Sequence, residues 1–437
     1  MVIFTISFCC LFLIYFIGKR EKWVHPSIIM LVYWIGLLFF ASLQLFGLYS
    51  ISNWGYFVFA VGLVSFCLGS MYGGFFSKRV SIARKREYVL DYKLIYILYI
   101  IVILFLLYNF KNVLDLLSSG YTWAKIRRLY SNQGQISGYN EVTMSAWNVM
   151  MNQFVSTPTI YASLPIAVSD MLIGKKDKKL FVMTLIMMFL WMMTSGGRSI
   201  VLWLAIYIVF GIFIIKKRNF RIPKKVKKII QFSFIPLIIV FIFITVQRKG
   251  ESLDIFREAY IYFPVGLKNF DYHIQQFSSS GHQYFFGASS FYGFIYPIIF
   301  LLKQIGIMDY PQWILDARNY SFTILEPNSF IGLDMNAYAT VMYQPYLDGG
   351  IIGVILILFL FGILCGYYYK KIDTNIIQSR YLTIYLFLIQ KILFSQVRFY
   401  FTQTQQAIAL VIIIIVFVNT HSLRNKVHFI TERKKRL

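Results

Sequence analysis

Apolar residues in this chain fall into long unbroken runs, separated by short polar segments that are mostly basic. A helix needs about 17–25 such residues to cross ~30 Å of hydrocarbon. Eleven runs are long enough, near 2–18, 26–46, 54–73, 94–110, 147–168, 180–196, 199–215, 229–246, 349–369, 381–397 and 405–420. The pattern predicts an all-α polytopic integral membrane protein. Membrane helices 1–8 fill 1–246, with an outer segment at 111–146 that is weakly amphipathic around Val113–Tyr130. An extracytoplasmic loop takes 247–348, and helices 9–11 with a basic tail take 349–437. Inside the loop, 289–302 is apolar but short and carries Pro297, which suits a re-entrant or interfacial segment better than a span. The first run is not a cleavable signal peptide, because Lys19, Arg20 and Lys22 follow it instead of preceding it.

Composition agrees. Of 437 residues, 58% are hydrophobic and only 14% charged, more apolar surface than soluble domains of this size can bury. The four cysteines, Cys9, Cys10, Cys67 and Cys365, lie within apolar runs and form neither a disulfide framework nor a metal motif. The net charge of +25 would suggest nucleic acid in a soluble protein. Here its distribution decides. Loops of one parity (19–25, 74–93, 169–179, 216–228, 370–380 and the tail after 420) hold 30 Lys/Arg against 7 Asp/Glu, whereas the other side is nearly balanced. By the positive-inside rule the basic side is cytoplasmic, the N-terminus extracytoplasmic and the C-terminus cytoplasmic. The basic runs Lys216–Arg218 and Lys224–Lys228 then face anionic lipid, and no nucleic-acid partner is expected.

The outer side is where chemistry is expected. A loop of about a hundred residues is too long for a connector, and its many aromatics argue for order. Arg198 follows the turn Thr194-Ser195-Gly196-Gly197 at the start of a helix, whose free N–H groups favour an anion. Arg248, Arg257 and Arg128 also lie near the outer boundary. Guanidinium groups there can bind phosphate bidentately or can snorkel. Lys391 and Arg398, seven apart on one face of the tenth run, present the same pair of alternatives, with Lys391 a few residues from the outer end. His273 and His282 are the outer histidines, read chiefly as surface residues, with His273 a candidate base. Among acids, Glu326, Asp334 and Asp348 come late in the loop, where burial could raise a carboxyl pKa enough for base catalysis. There is no Walker, G-x-G-x-x-G, G-x-S-x-G or HExxH motif, and the first outer loop, Gly47–Asn53, contains no acid.

Three stretches carry a resemblance: Thr194-Ser195-Gly196-Gly197-Arg198-Ser199, Gly281-His282-Gln283-Tyr284-Phe285-Phe286-Gly287, and Asn336-Ala337-Tyr338 followed by Tyr346-Leu347-Asp348-Gly349-Gly350-Ile351-Ile352-Gly353. With the expected topology, the chain resembles the O-antigen and capsule repeat-unit polymerases (Wzy). The resemblance implies a metal-independent glycosyltransferase of the bacterial plasma membrane, without cofactor, that joins undecaprenyl-pyrophosphate-linked oligosaccharides into lipopolysaccharide O-antigen or capsule. It implies that arginines, Arg198 foremost, hold the pyrophosphate. It also implies work alongside a flippase and a chain-length regulator, and a place for Asn336 and Tyr338 in the substrate site. The related O-antigen ligases carry His-Asn where this chain has Met335-Asn336. A ligase and a lipid-linked oligosaccharide flippase or transporter are the alternatives; the latter should carry its ionisable groups in mid-membrane.

Overall fold

A computed structural model describes residues 1–19, 21, 23–47, 50–80, 87–122, 126, 145–195, 197–216, 260–325, 328–329, 334–335, 338–373 and 377–419. The helices are α1 (Val2–Gly18), α2 (Pro26–Leu43), α3 (Asn53–Val80), α4 (Tyr92–Ser118), α5 (Thr157–Ile173), α6 (Lys178–Ser195) and α7 (Ser199–Lys216). They continue as α8 (Val265–Ser279), α9 (Tyr292–Gln304), α10 (Gln312–Phe322), α11 (Tyr343–Ile372), α12 (Ser379–Leu393) and α13 (Thr404–Ile415). Among the described residues, α2, α3, α4, α6 and α11 are long and apolar enough to cross a membrane, and α1, α7 and α13 are shorter apolar helices. The chain is a helical, membrane-embedded protein. The eighth run, 229–246, lies outside the described residues.

The chain divides into two compact units. The first comprises Met1–Ala83, Asp254–Thr374 and Leu388–Ala407. Its spine is the packing of α3 against α11. A Cβ on Gly69 or Gly73 would run into the carbonyls of Phe359 and Ile363, and one on Gly362 or Gly366 into those of Phe66 and Ser70. Each helix thus presents a G-x-x-x-G step to the other's backbone. In lipid no hydrophobic force draws two helices together, so such close approach is what holds them. The helix α11 starts at Tyr343, before the apolar run, and breaks at Gly349–Gly350. Gly350 has φ +56° and ψ −138°, a conformation essentially reserved for glycine, and a Cβ there would also meet the Tyr284 hydroxyl.

Polar contacts fasten the two ends of this unit. At one end, His25 caps α2 by accepting the Ser27 N–H on Nδ1 at 3.2 Å, which requires a neutral ring. Burial against Phe16 and Tyr369 keeps it neutral by lowering its pKa to about 3. Nearby, Lys370 pairs with Glu21 at 3.3 Å. At the other end the buried Asp271 carboxylate accepts the Ser52 N–H at 2.9 Å and the Ser52 hydroxyl. Lys268 donates to the Ser50 carbonyl at 2.9 Å, and the Tyr260 hydroxyl to that of Phe40 at 2.7 Å. The Asp271 and Lys268 bonds pin the loop between α2 and α3 to α8, and the Tyr260 bond ties the segment before α8 to α2. Beside them α9 and α10 share a small core of Tyr292, Ile299, Ile314 and Ala317.

The second unit comprises Arg84–Leu253, Asn375–Phe387 and Ile408–Leu437. The Asp91 carboxylate caps α4, accepting the Lys93 and Leu94 N–H groups at 3.1 Å. The buried Asp170 carboxylate ends α5 by accepting the Tyr92 hydroxyl and the N–H groups of Lys175 (3.1 Å) and Asp177 (2.9 Å). The fifth apolar run is not one α-helix. Ala146–Met150 is followed by a π-helical Met151–Ser156 before α5 begins. Strands β1 (Tyr88–Leu90) and β2 (Phe417–Asn419) pair antiparallel, which nothing in the hydrophobic pattern predicted. The Arg380 guanidinium sits 3.9 Å over the Tyr88 ring, so the start of α12 and the end of α13 meet the same strand pair.

Candidate functional site

The first unit contains irregular backbone level with the middle of its spans. Helix α12 stops at Leu393 and α13 starts at Thr404, and the segment between them forms the tip of a hairpin. Its Ser395 hydroxyl accepts the indole N–H of Trp34 at 2.8 Å, and Trp34 lies halfway along α2. Phe399 and Phe401 pack on Phe361, eleven residues past the break in α11. Peptide groups without water must bond to one another. Here Ala339 N–H donates to Val397 O (2.8 Å), Thr340 to Gln396 (3.1 Å) and Val341 to Ser395 (2.6 Å). The Gln344 Oε1 accepts Phe399 N–H at 3.1 Å. Thr340 has φ +64°, an unfavourable value for a β-branched residue and a sign of stored strain.

Around this tip lies a buried polar cluster. Lys391 is 3% exposed; its ammonium donates to Gln390 Oε1 at 2.5 Å and to Gln406 Oε1, and lies 4.9 Å from the Tyr400 ring centroid. Because both amide oxygens turn to the lysine, the Gln390 and Gln406 Nε2 groups are left without a hydrogen-bond partner among the described residues. Arg398 is buried too. Helix α8 closes one side, since a Cβ on Gly266 would strike the Gln396 carbonyl and stand 3.6 Å from the Tyr338 Cβ. One turn on from Gly266, the buried Asn269 amide is unpartnered at both ends, as is Gln396 Oε1. A further turn along is His273, whose ring lies 5.6 Å from that of Tyr343. Burial lowers its pKa to about 4, so its imidazole is neutral near pH 7.

Several expectations are corrected here. Lys391 and Arg398 do not share a helical face, because α12 ends between them. Lys391 does not snorkel, since it sits below a tip that itself reaches only the middle of α2. His273 is not a surface residue, although His282 is exposed, against Tyr320. Asp348 has a structural task beside the candidate role. Its two carboxylate oxygens each accept a backbone N–H, from Ser289 and Ser290 at 2.8 Å, which fixes the turn before α9.

The structure puts His273, Lys391, Arg398, Tyr338 and Asp348 in the first unit, with the Tyr338 ring 5.8 Å from that of Tyr262. Arg198 belongs to the second. It is half-buried and immediately precedes α7, and its carbonyl accepts the Val201 N–H at 3.2 Å. Asp334 pairs through its backbone with Ser329, its side chain lying outside the described residues. Arg128, Arg248, Arg257 and Asn336 lie outside them altogether. Among the described residues no three His, Cys, Asp or Glu side chains come together. The amides Asn269, Gln390, Gln396 and Gln406 were missed. The signal was there: Gln390 interrupts one apolar run, and Thr402-Gln403-Thr404-Gln405-Gln406 opens the next. Comparison of the chain with family models, curated proteins and solved structures finds no match.

Proposed function

We propose that this protein joins lipid-pyrophosphate-linked oligosaccharide repeat units at the outer leaflet of the bacterial plasma membrane. The observation that carries the reading is the buried polar cluster of the first unit. It holds Lys391 beneath a hairpin tip that carries Arg398, and that tip meets α8, the helix on which the neutral His273 stands. The contacts Glu21–Lys370 and Asp271–Ser52 each join segments that the eleven-span topology assigns to one side, which supports that topology.

In the proposed reaction the anomeric C–O bond of the growing chain to its pyrophosphate breaks, and a hydroxyl of the incoming unit forms the new glycosidic bond. His273, uncharged near pH 7, takes the hydroxyl proton. Lysine and arginine side chains hold the leaving pyrophosphate where little water competes, and charge stabilisation is strongest under those conditions. Arg198, at a helix start in the second unit, is a further candidate for binding pyrophosphate.

One observation favours a second reading. A lysine level with mid-span, at a point where two helices break off, is also how membrane carriers build a substrate site. Deleting the gene and restoring it with wild type, Arg198→Ala or Lys391→Met separates the two. The polymerase reading expects surface polysaccharide to collapse to a single attached repeat with lipid-linked units accumulating, both in the deletion and in the variants. Arg198→Lys should retain a fraction, since a point charge replaces a bidentate fork. Loss of every attached repeat supports the carrier or a ligase, and an unchanged ladder overturns the proposal.

A further inference from the structure

The α9 helix has two faces, and only one of them is satisfied by protein. Tyr292, Tyr296 and Ile299 pack toward α10 and its neighbours, with the Tyr296 and Tyr310 rings stacked at 6.0 Å. On the opposite face Ile298, Leu301 and Ile305 are 61%, 62% and 67% exposed, and Ile307 just beyond is 66% exposed. Ile298, Leu301 and Ile305, spaced three and four apart, form one apolar strip along the helix, and Ile307 follows in the turn after it. Soluble surfaces scatter such residues singly, and a contiguous patch marks an interaction site.

Depth decides what covers this strip. The first turn of α9 is seated inside the span region. A Cβ on Gly293 would press on the backbone of Phe401 and Gln403, and Phe294 packs against the Phe401 ring. Phe401 belongs to the hairpin tip, whose Ser395 meets Trp34 halfway along α2. A helix that begins at that level presents its unpaired face to hydrocarbon. The rim fits as well. Lys303 pairs with Asp309 at 3.2 Å and lies over the Tyr310 ring, and Trp313 is exposed nearby. Basic and aromatic groups settle at the headgroup level in just this way.

We propose that α9 and the turn after it lie in the lipid leaflet at this end of the first unit, with Ile298, Leu301, Ile305 and Ile307 against acyl chains and Lys303 among the headgroups. The seat is rigidly tied to the polar cluster. Asp348 holds the Ser289 and Ser290 N–H groups, and Thr402, on the hairpin tip, donates to the Ser289 carbonyl at 3.1 Å. A lipid-borne molecule travelling along this strip therefore arrives beside the cluster. The inference is independent of which reaction the cluster performs.

The test is spin labelling of single cysteines at 298, 301, 305 and 309, with the four native cysteines replaced, in vesicles of phosphatidylethanolamine and phosphatidylglycerol. Collision with dissolved oxygen should dominate at 298, 301 and 305, and collision with a water-soluble nickel chelate should be several-fold lower there than at 309. Equal nickel collision at 301 and 309 would put the strip in water and overturn the proposal. Protection from both reagents, or broadening between labels on neighbouring copies, would show a protein partner or a second copy and overturn it equally. If the cysteine-free protein does not fold, the native chain can be photolabelled with a phospholipid carrying a diazirine on its acyl chain. Label should appear on the peptide spanning 295–307, and its absence there would refute the inference.

Discussion

At the scale of single residues, burial changes what the titratable groups can do. His273 looked like an outer-loop histidine, and only its place on the inner face of α8 shows that it is desolvated. Its pKa is held near 4 when folded against about 6.5 when free, so between these values the unfolded chain binds the extra proton. Its contribution is therefore intact above about pH 6.5 and is lost as pH falls toward 4. The loss amounts to roughly 3 kcal/mol at most. We expect the wild type to lose stability over that window in chemical denaturation, and His273→Gln to lose markedly less. Parallel curves for the two proteins would place the histidine in water. If His273 is also the base, His273→Gln should bind lipid-linked substrate normally and fail only in turnover. Asp348 gives the opposite lesson. Its position suggested catalysis, and the structure adds a second task, holding two backbone N–H groups, which no sequence pattern reports.

Among elements, hydrophobic runs located most of the helices because lipid demands long apolar segments, and α1, α6 and α7 match their runs within about two residues. The same reasoning failed wherever protein replaces lipid as the surroundings. The ends of α12 and α13 and the break in α11 are stabilised by neighbouring backbone, so the local sequence still reads as apolar. The glycine steps of α3 and α11 were legible in principle, since Gly69/Gly73 and Gly362/Gly366 carry the spacing of a close helix pair. They make a direct stability test. Gly69→Val or Gly366→Val must force backbones apart, and the expected outcome is a purified protein with a much lower unfolding temperature or none that is monodisperse. Overpacking alone costs ~1–3 kcal/mol, and a backbone clash exceeds that. Gly36→Ala, which would add a methyl where nothing lies within 4 Å, should be neutral or slightly stabilising. Similar thermal profiles for Gly69→Val and Gly36→Ala would mean that α3 and α11 do not meet along this seam.

For the whole molecule, the proposed chemistry depends on which compartment the outer end of the first unit faces. Charge asymmetry assigns it outward, because the basic loops belong to the other end and arginine and lysine resist translocation. Contacts that join same-parity loops test only the parity, so the direction needs its own measurement. Gln275 is exposed on α8 and Lys178 is exposed at the start of α6, and the topology puts them on opposite sides. In spheroplasts, with the half-buried Cys10 replaced, Gln275→Cys should react at once with a membrane-impermeant maleimide. Lys178→Cys should react only after permeabilisation. The reverse pattern would turn the cluster around His273 and Lys391 toward the cytoplasm, where lipid-linked units are not yet flipped, and a polymerase would lose its substrate. A carrier would survive that inversion, since a site level with mid-span can open to either side. The labelling result thus bears on the reaction as well as on the fold. Outward reactivity at 275 is required by the polymerase, and inward reactivity would leave transport as the reading consistent with a buried lysine between broken helices.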